Sequence, residues 1–201
     1  RDIRECNYFI ETVESRIEAG LLDELNSDVK HYRGENYFFR AWFYFNKLQS
    51  YGDFPIITSV LSDDTETLIE ASKRQPRNEV ARFILEDLDK AISMLQDNRS
   101  KNRINKSTAQ LLASRVALFE GTWLKYHQGT ARVPGGPNWS GSYLHSNFSF
   151  EAGSIQAESD FFLGKAMDYA QQVASNYSLS PDYQGMFISH NLEANPEVLL
   201  Y

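Results

Sequence analysis

A dense run of aromatic side chains, followed at once by helix-breaking residues, is the feature that most constrains how this chain can fold. Aromatic residues dominate positions 37–45, and Tyr51-Gly52-Asp53-Phe54-Pro55 follows shortly after. The apolar positions recur at three- and four-residue steps, which predicts a helix from near Ser27 to about Ser50. Since aromatics also occupy its other faces, we expect this helix to be buried against several neighbours. Pro55 lacks an N–H and disfavours the α conformation at the preceding residue, so the helix must end here.

Four further segments show helical periodicity. They run from about Ile3 to Ala19, from Pro76 to Leu95, from Ser107 to Tyr126 and from Asp160 to Ser175. Ser107-Thr108-Ala109-Gln110 has the pattern of a capping box, which predicts that a helix starts at Ser107. Small residues at helix-pair spacing followed by a breaker are typical of tetratricopeptide repeats, although no strict interval of about 34 residues is present. The predicted fold class is therefore all-α, with tetratricopeptide-like helix hairpins and long irregular loops.

The length and net charge of the chain argue against several classes of protein. The chain has 201 residues, which suits one domain or part of a larger protein. Its net charge is -7 and no basic run occurs, which argues against a nucleic-acid partner. No apolar stretch approaches the roughly 18 residues of a membrane helix. Helical periodicity begins at the first residues and the chain stops inside an apolar run, so we expect residues 1–201 to be one helical region of a longer protein.

The residues that could carry catalysis or bind a metal are scattered. The histidines are His31, His127, His145 and His190. None lies three or four residues from a second ligand on a predicted helix, apart from isolated acids such as Glu35 near His31, for which a surface ion contact is the favoured interpretation. The single cysteine, Cys6, excludes an internal disulfide and has no visible histidine partner. Asp63, Asp64 and Glu66 could bind Ca²⁺, but they lack the glycine and distal glutamate of an EF-hand, so solvated loop charges are favoured. We therefore predict no catalytic residue, no metal site and no cofactor.

A long loop, from Gln128 to about Ser159, is where ligand binding is expected. This stretch of 128–159 is rich in Gly, Ser, Asn and Pro and has no periodicity. Long loops inside a compact domain are usually functional or disordered. Trp139 and Tyr143 could stack on the apolar face of a sugar ring while Asn138 bonds its hydroxyl groups. The alternative is that Trp139 folds back as a local hydrophobic anchor.

The aromatic segment and its surroundings also resemble the signature of a known family. Residues 33–35, 37–45 and 51–57 are similar, in order and type, to the signature of the SusD/RagB family. Residues 86–91, 107–127, 166–187 and 195–201 are similar to later segments of the family, so the resemblance covers nearly the whole chain. These motifs match the scaffold of the family, whereas its ligand residues lie on variable loops and are not carried over to this chain.

The resemblance implies a fold and a function. Members are lipid-anchored proteins on the extracellular face of the outer membrane; the lipid-bearing cysteine and a large C-terminal region would lie outside this chain. The implied function is to capture oligosaccharides and deliver them to a TonB-dependent SusC-like transporter, without catalysis. Some members bind peptides instead, so an oligopeptide-binding uptake component is an alternative. A helical-repeat scaffold that binds only protein is a third possibility from the pattern alone.

Overall fold

Helices that are neighbours along the chain mostly pack against one another. The computed structural model describes residues 1–97 and 101–200, and residues 98–100 and 201 lie outside the described part. The α-helices are α1 (Asp2–Glu18), α2 (Ser27–Tyr51), α3 (Thr65–Ala71), α4 (Arg77–Met94), α5 (Lys106–His127), α6 (Ile155–Ala174) and α7 (Gly185–Ile188). Extended pairing within the described ranges is limited to an isolated antiparallel bridge between Phe54 and Gln75. The predicted all-α class is confirmed.

Helix α2 lies at the centre of the packing. It contacts α1 on one side and α4 on another, α4 contacts α5, and α5 contacts α6, which gives the hairpin stacking expected of tetratricopeptide-like folds. Tyr44 is fully buried, with its ring 5.0 Å from that of Phe83, and Phe45 lies 5.6 Å from Phe119. Phe39 and Trp42, however, remain 42% and 37% exposed. The expectation that α2 is buried on every face was therefore too strong, because Phe39 and Trp42 line an open groove between α2 and α5.

A hydrogen-bond network around a buried ion pair joins three of these helices. Arg40 of α2 donates to both carboxylate oxygens of Asp87 on α4, at 2.7 and 2.8 Å, and to Oδ1 of Asn7 on α1 at 2.9 Å. Asn7 in turn donates to the carbonyl oxygens of Ile57 and Ser59. Bidentate, charge-assisted hydrogen bonds of this kind impose a defined geometry. The network therefore holds α1, α2, α4 and the chain that leaves α2 in one arrangement.

Three helix starts differ from the prediction. Helix α3 begins inside the predicted acidic loop, because Asp64 accepts a hydrogen bond from the backbone N–H of Thr67 and caps the helix. Helix α5 begins at Lys106 with Asn105 as its cap, so the capping box at Ser107 was wrong. Helix α6 begins at Ile155 rather than Asp160, since Ser154 caps it.

No helix in the described part of the chain combines the length and the apolar character needed to span a bilayer.

Candidate functional site

A small cleft opens where the end of α2 meets the long segment between α5 and α6. Its volume is ≈ 260 Å³. The residues that line it are Leu48, Gln49, Ser50, Tyr51, Gly52, Asp53, Arg77, Trp123, Ala131, Arg132, Trp139 and Ser140. Ligand pockets commonly measure about 300–1,000 Å³, so this cleft suits a single ring-sized group.

Asp53 connects the helix-breaking segment to both walls of the cleft. Its Oδ1 accepts a hydrogen bond from the backbone N–H of Arg77, at the start of α4, at 2.9 Å. Its Oδ2 accepts from the indole Nε1 of Trp139 at 2.7 Å. Burial raises the pKa of Asp53, and the hydrogen bonds from Trp139 and Arg77 oppose that rise without cancelling it. Asp53 therefore orients the cleft wall and has both oxygens occupied.

A second buried ion pair forms the floor of the cleft. The guanidinium of Arg77 donates to Glu120 of α5, from Nε at 3.0 Å and from Nη2 at 2.8 Å, and both residues are buried. The same guanidinium lies 4.0 Å from the ring centroid of Trp123, a cation–π contact. Burial raises the pKa of Glu120, although the charge of Arg77 acts against this. Because the two charges satisfy one another, the floor is a rigid support for the cleft.

The segment between α5 and α6 packs on its own aromatic side chains. Trp139 is only 5% exposed; its ring stacks on His145, with centroids 5.9 Å apart, and contacts Phe148 at 5.3 Å. The His145 ring is held by a hydrogen bond of 2.8 Å between Nε2 and the carbonyl oxygen of Arg74. A Cβ at Gly141 would lie 2.3 Å from the indole, so only glycine fits beneath Trp139. This is the geometry of a local anchor for Trp139.

The three residues predicted to bind a ligand are therefore placed differently from one another. Asn138 is exposed and has a positive φ of 58°, which asparagine tolerates better than most residues. Tyr143 is 80% exposed and belongs to the 3₁₀ turn Ser140–Tyr143, whose first residue lines the cleft. Trp139 presents only part of its edge to the cleft. Sequence reasoning missed Tyr51 and Arg132, since no local pattern shows that they face a loop distant along the chain.

The remaining candidates for chemistry lie apart. The residues that the structure describes contain no group of three or more His, Cys, Asp or Glu side chains that could hold a metal ion. Cys6 is buried, and burial is the main cause that raises the pKa of its thiol to about 11. His31 is buried in α2, where its Nε2 lies 3.4 Å from the carboxylate of Glu35 and its Nδ1 accepts from the N–H of Gln96. The contact between His31 and Glu35 therefore lies inside the helical scaffold, and the interpretation as a surface ion contact was wrong.

The fold and the cleft together define an all-helical scaffold of tetratricopeptide-like hairpins with a loop-walled cleft. Comparison with known proteins identifies the family. The SusD-like family described as "Starch-binding associating with outer membrane" matches residues 1–118, more than half of the chain. The chain belongs to this SusD-like family.

Individual relatives agree with this assignment. SusD-like protein P2 of Formosa agariphila is 32% identical over 108 residues, which cover 53% of this chain and 21% of that protein. A SusD-like protein of Bacteroides fragilis is 26% identical with a TM-score of 0.58, over 89% of this chain and 26% of that structure. A laminarin-binding SusD-like protein has a TM-score of 0.64 at 18% identity, over 98% of this chain and 34% of that structure, which shows a shared fold. The chain thus spans only part of the length of the relatives it matches.

Proposed function

We propose that these helices belong to a non-catalytic protein that binds oligosaccharides on the extracellular face of the outer membrane. In this proposal the protein, held there by a lipid anchor in a part outside this chain, delivers the glycan to a TonB-dependent SusC-like transporter. The observation that carries the proposal is the match of residues 1–118 to a family described as starch-binding and associated with the outer membrane. The Bacteroides fragilis structure, 26% identical, supports the same family scaffold.

Within this chain, we assign glycan contact to the cleft and the exposed part of its loop wall. Tyr143 is 80% exposed and offers its ring to a sugar for stacking. Tyr51 is 59% exposed beside the cleft; its ring stacks on Phe54, and its exposed part can contact a sugar in the cleft. Asn138 is exposed on the same loop and can bond hydroxyl groups through its amide. Trp139 serves as part of the wall, because its buried indole orients the turn that carries Tyr143.

Calorimetric titration of the full-length protein with a panel of soluble oligosaccharides tests the function. We expect saturable binding of at least one glycan and an approximately tenfold loss of affinity in Tyr143→Ala, since stacking on an aromatic ring contributes about 1–1.5 kcal/mol. Tyr126→Ala is the matched control, because Tyr126 is 77% exposed on α5 and does not line the cleft. If no glycan binds, the function is refuted; if Tyr143→Ala and Tyr126→Ala behave alike, only the loop site is refuted.

Two further measurements address delivery and the proposed lack of catalysis. A tagged full-length protein should co-purify with a TonB-dependent transporter from detergent-solubilised membranes of the native host. The bound glycan should be recovered at its original length after prolonged incubation with the protein. Shortened products would show that the protein is an enzyme, and a preparation without a transporter would argue against delivery.

A further inference from the structure

A second pocket, lined by residues of α1, α2 and α3, has a composition that suits a different ligand. It lies between the first turn of α1, the C-terminal half of α2 and the chain that continues from α2 into α3. Its volume is ≈ 440 Å³, within the usual range of ligand pockets. The residues that line it include three bases and no acid, in a protein whose net charge is -7. The lining of the pocket is therefore positively charged, whereas the chain as a whole has a net negative charge.

The body of the pocket is apolar. Its walls are formed by Ile3, Phe54, Ile57, Leu61 and Leu68. Leu68 is 41% exposed on α3, a helix with no buried residue, so this side chain closes one side of the pocket without belonging to the core. An apolar group that entered here would remove the exposed part of Leu68 from water, which favours binding.

The polar groups at the base of the pocket are already occupied. The hydroxyl of Tyr44 donates to the carbonyl oxygen of Ile57 at 3.1 Å and accepts from its N–H at 2.7 Å. The amide of Asn7 donates to the carbonyl oxygens of Ile57 and Ser59 and accepts from Arg40. These bonds fix the base of the pocket, and a ligand gains little by competing with them.

The cations at the rim are the groups left to recognise a ligand. Arg1 pairs with Glu5 at 2.9 Å. Arg4 and Lys47 form no ion pair with a carboxylate in the described part of the chain, and Lys47 lies 5.8 Å from the ring centroid of Tyr51. Two unpaired cations beside an apolar cavity favour a ligand that carries one anionic group and an apolar body.

We propose that this pocket binds an anionic amphiphile, with its apolar body against Leu61 and Leu68 and its anionic group between Arg4 and Lys47. The anion is a carboxylate or a phosphate ester, and its source is a fatty acid or a lipid headgroup. This site is separate from the loop-walled cleft, with which it shares no lining residue.

Calorimetric titration of the full-length protein with sodium decanoate, below its micelle-forming concentration, tests the proposal. We expect decanoate to bind saturably with one-to-one stoichiometry. 1-Decanol, which lacks the anionic group, and sodium acetate, which lacks the apolar body, should each bind at least about tenfold more weakly. A parallel titration with decyl phosphate distinguishes the two sources, and tighter binding of either anion supports the proposal. The proposal would be overturned if neither anion bound saturably, or if decanol bound as tightly as decanoate.

Matched variants locate the site. Arg4→Gln combined with Lys47→Gln should weaken decanoate binding about tenfold, and Leu68→Asn should weaken it about fivefold. Lys30→Gln and Ile69→Asn are the controls, since Lys30 is exposed on the same helix as Lys47, Ile69 is 62% exposed beside Leu68, and neither lines the pocket. Equal losses in the test and control variants would place the binding elsewhere and refute the assignment. Glycan affinity of Leu68→Asn, which lies outside the loop-walled cleft, should stay unchanged, so failure here is distinguishable from failure of the proposed function.

Discussion

The contact between Asp53 and Trp139 can be tested by removing each partner in turn. In the unaltered protein the indole N–H of Trp139 and the backbone N–H of Arg77 donate to the two oxygens of Asp53, at 2.7 and 2.9 Å. Asp53→Asn keeps one acceptor oxygen but turns an NH₂ group toward one of these two donors. A buried donor left unpaired costs about 1–3 kcal/mol. Because burial raises the pKa of Asp53, loss of its charge relieves some desolvation and offsets part of that cost. We therefore expect the free energy of unfolding to fall by about 1–2 kcal/mol.

A double-mutant cycle isolates the hydrogen bond from the other effects of each substitution. Trp139→Phe removes the indole N–H, and the coupling energy between it and Asp53→Asn should be about 1–2 kcal/mol in urea unfolding followed by circular dichroism. Asp63→Asn is the control: Asp63 is exposed in the chain before α3, so its effect should stay within about 0.5 kcal/mol.

Limited proteolysis tests whether this bond holds the loop. Arg132 is exposed in the segment between α5 and α6, and trypsin should cleave after it faster in Asp53→Asn than in the unaltered protein, since loss of the anchor lets the loop open locally. A coupling energy below about 0.5 kcal/mol together with unchanged cleavage would refute the view that Asp53 joins the scaffold to the loop.

Three further changes probe other parts of the structure. Asp87→Ala should cost about 3–5 kcal/mol in urea unfolding, because it leaves the buried guanidinium of Arg40 without its carboxylate; a loss below about 1 kcal/mol would contradict this. Burial acts to raise the pKa of Glu158, but hydrogen bonds from an arginine, an asparagine and a backbone N–H lower it. Its ionised form therefore stabilises the fold above about pH 4.3 and less as pH falls through the lower folded pKa, so Glu158→Gln should flatten the acid limb of stability against pH. Gly141→Ala should lower the Tm through a loss of about 1–3 kcal/mol, since the new Cβ meets the indole of Trp139; an unchanged Tm would show that the loop shifts freely.

The long helices could be predicted from the sequence because their apolar spacing reports burial. Helix α2 spans Ser27–Tyr51, close to the predicted 27 to 50, since its core residues recur on one side and Gly52 and Pro55 end it. Helix α3 was missed because it has only 7 residues and none is buried, so it produces no apolar pattern. The cap of α5 was misplaced because Asn105 and Ser107 are both good capping residues, and the hydroxyl of Ser107 instead contacts Asp97.

The cleft could not be predicted in the same way, because its parts are distant along the chain. Asp53 and Trp139 are 86 residues apart, and no periodic pattern links a turn residue to a side chain in an irregular loop. What the sequence does contain is an acid directly after a helix-ending glycine and a tryptophan two residues before a glycine. Each is typical of a structural turn, but their contact depends on how α4 and α5 pack.

The aromatic segment and the turn that follows it therefore have separate roles. The aromatic side chains of α2 build the core through contacts such as Tyr44 with Phe83, whereas Asp53 fixes the start of α4 and the position of the loop through hydrogen bonds. Asp53, which supports the cleft, thus belongs to the segment that resembles the family signature. The outer wall of the cleft is formed by the segment between α5 and α6. If the proposed loop site binds glycan, exchange of residues 140–143 for another sequence should alter glycan preference, while the contact between Asp53 and Arg77 keeps the scaffold unchanged.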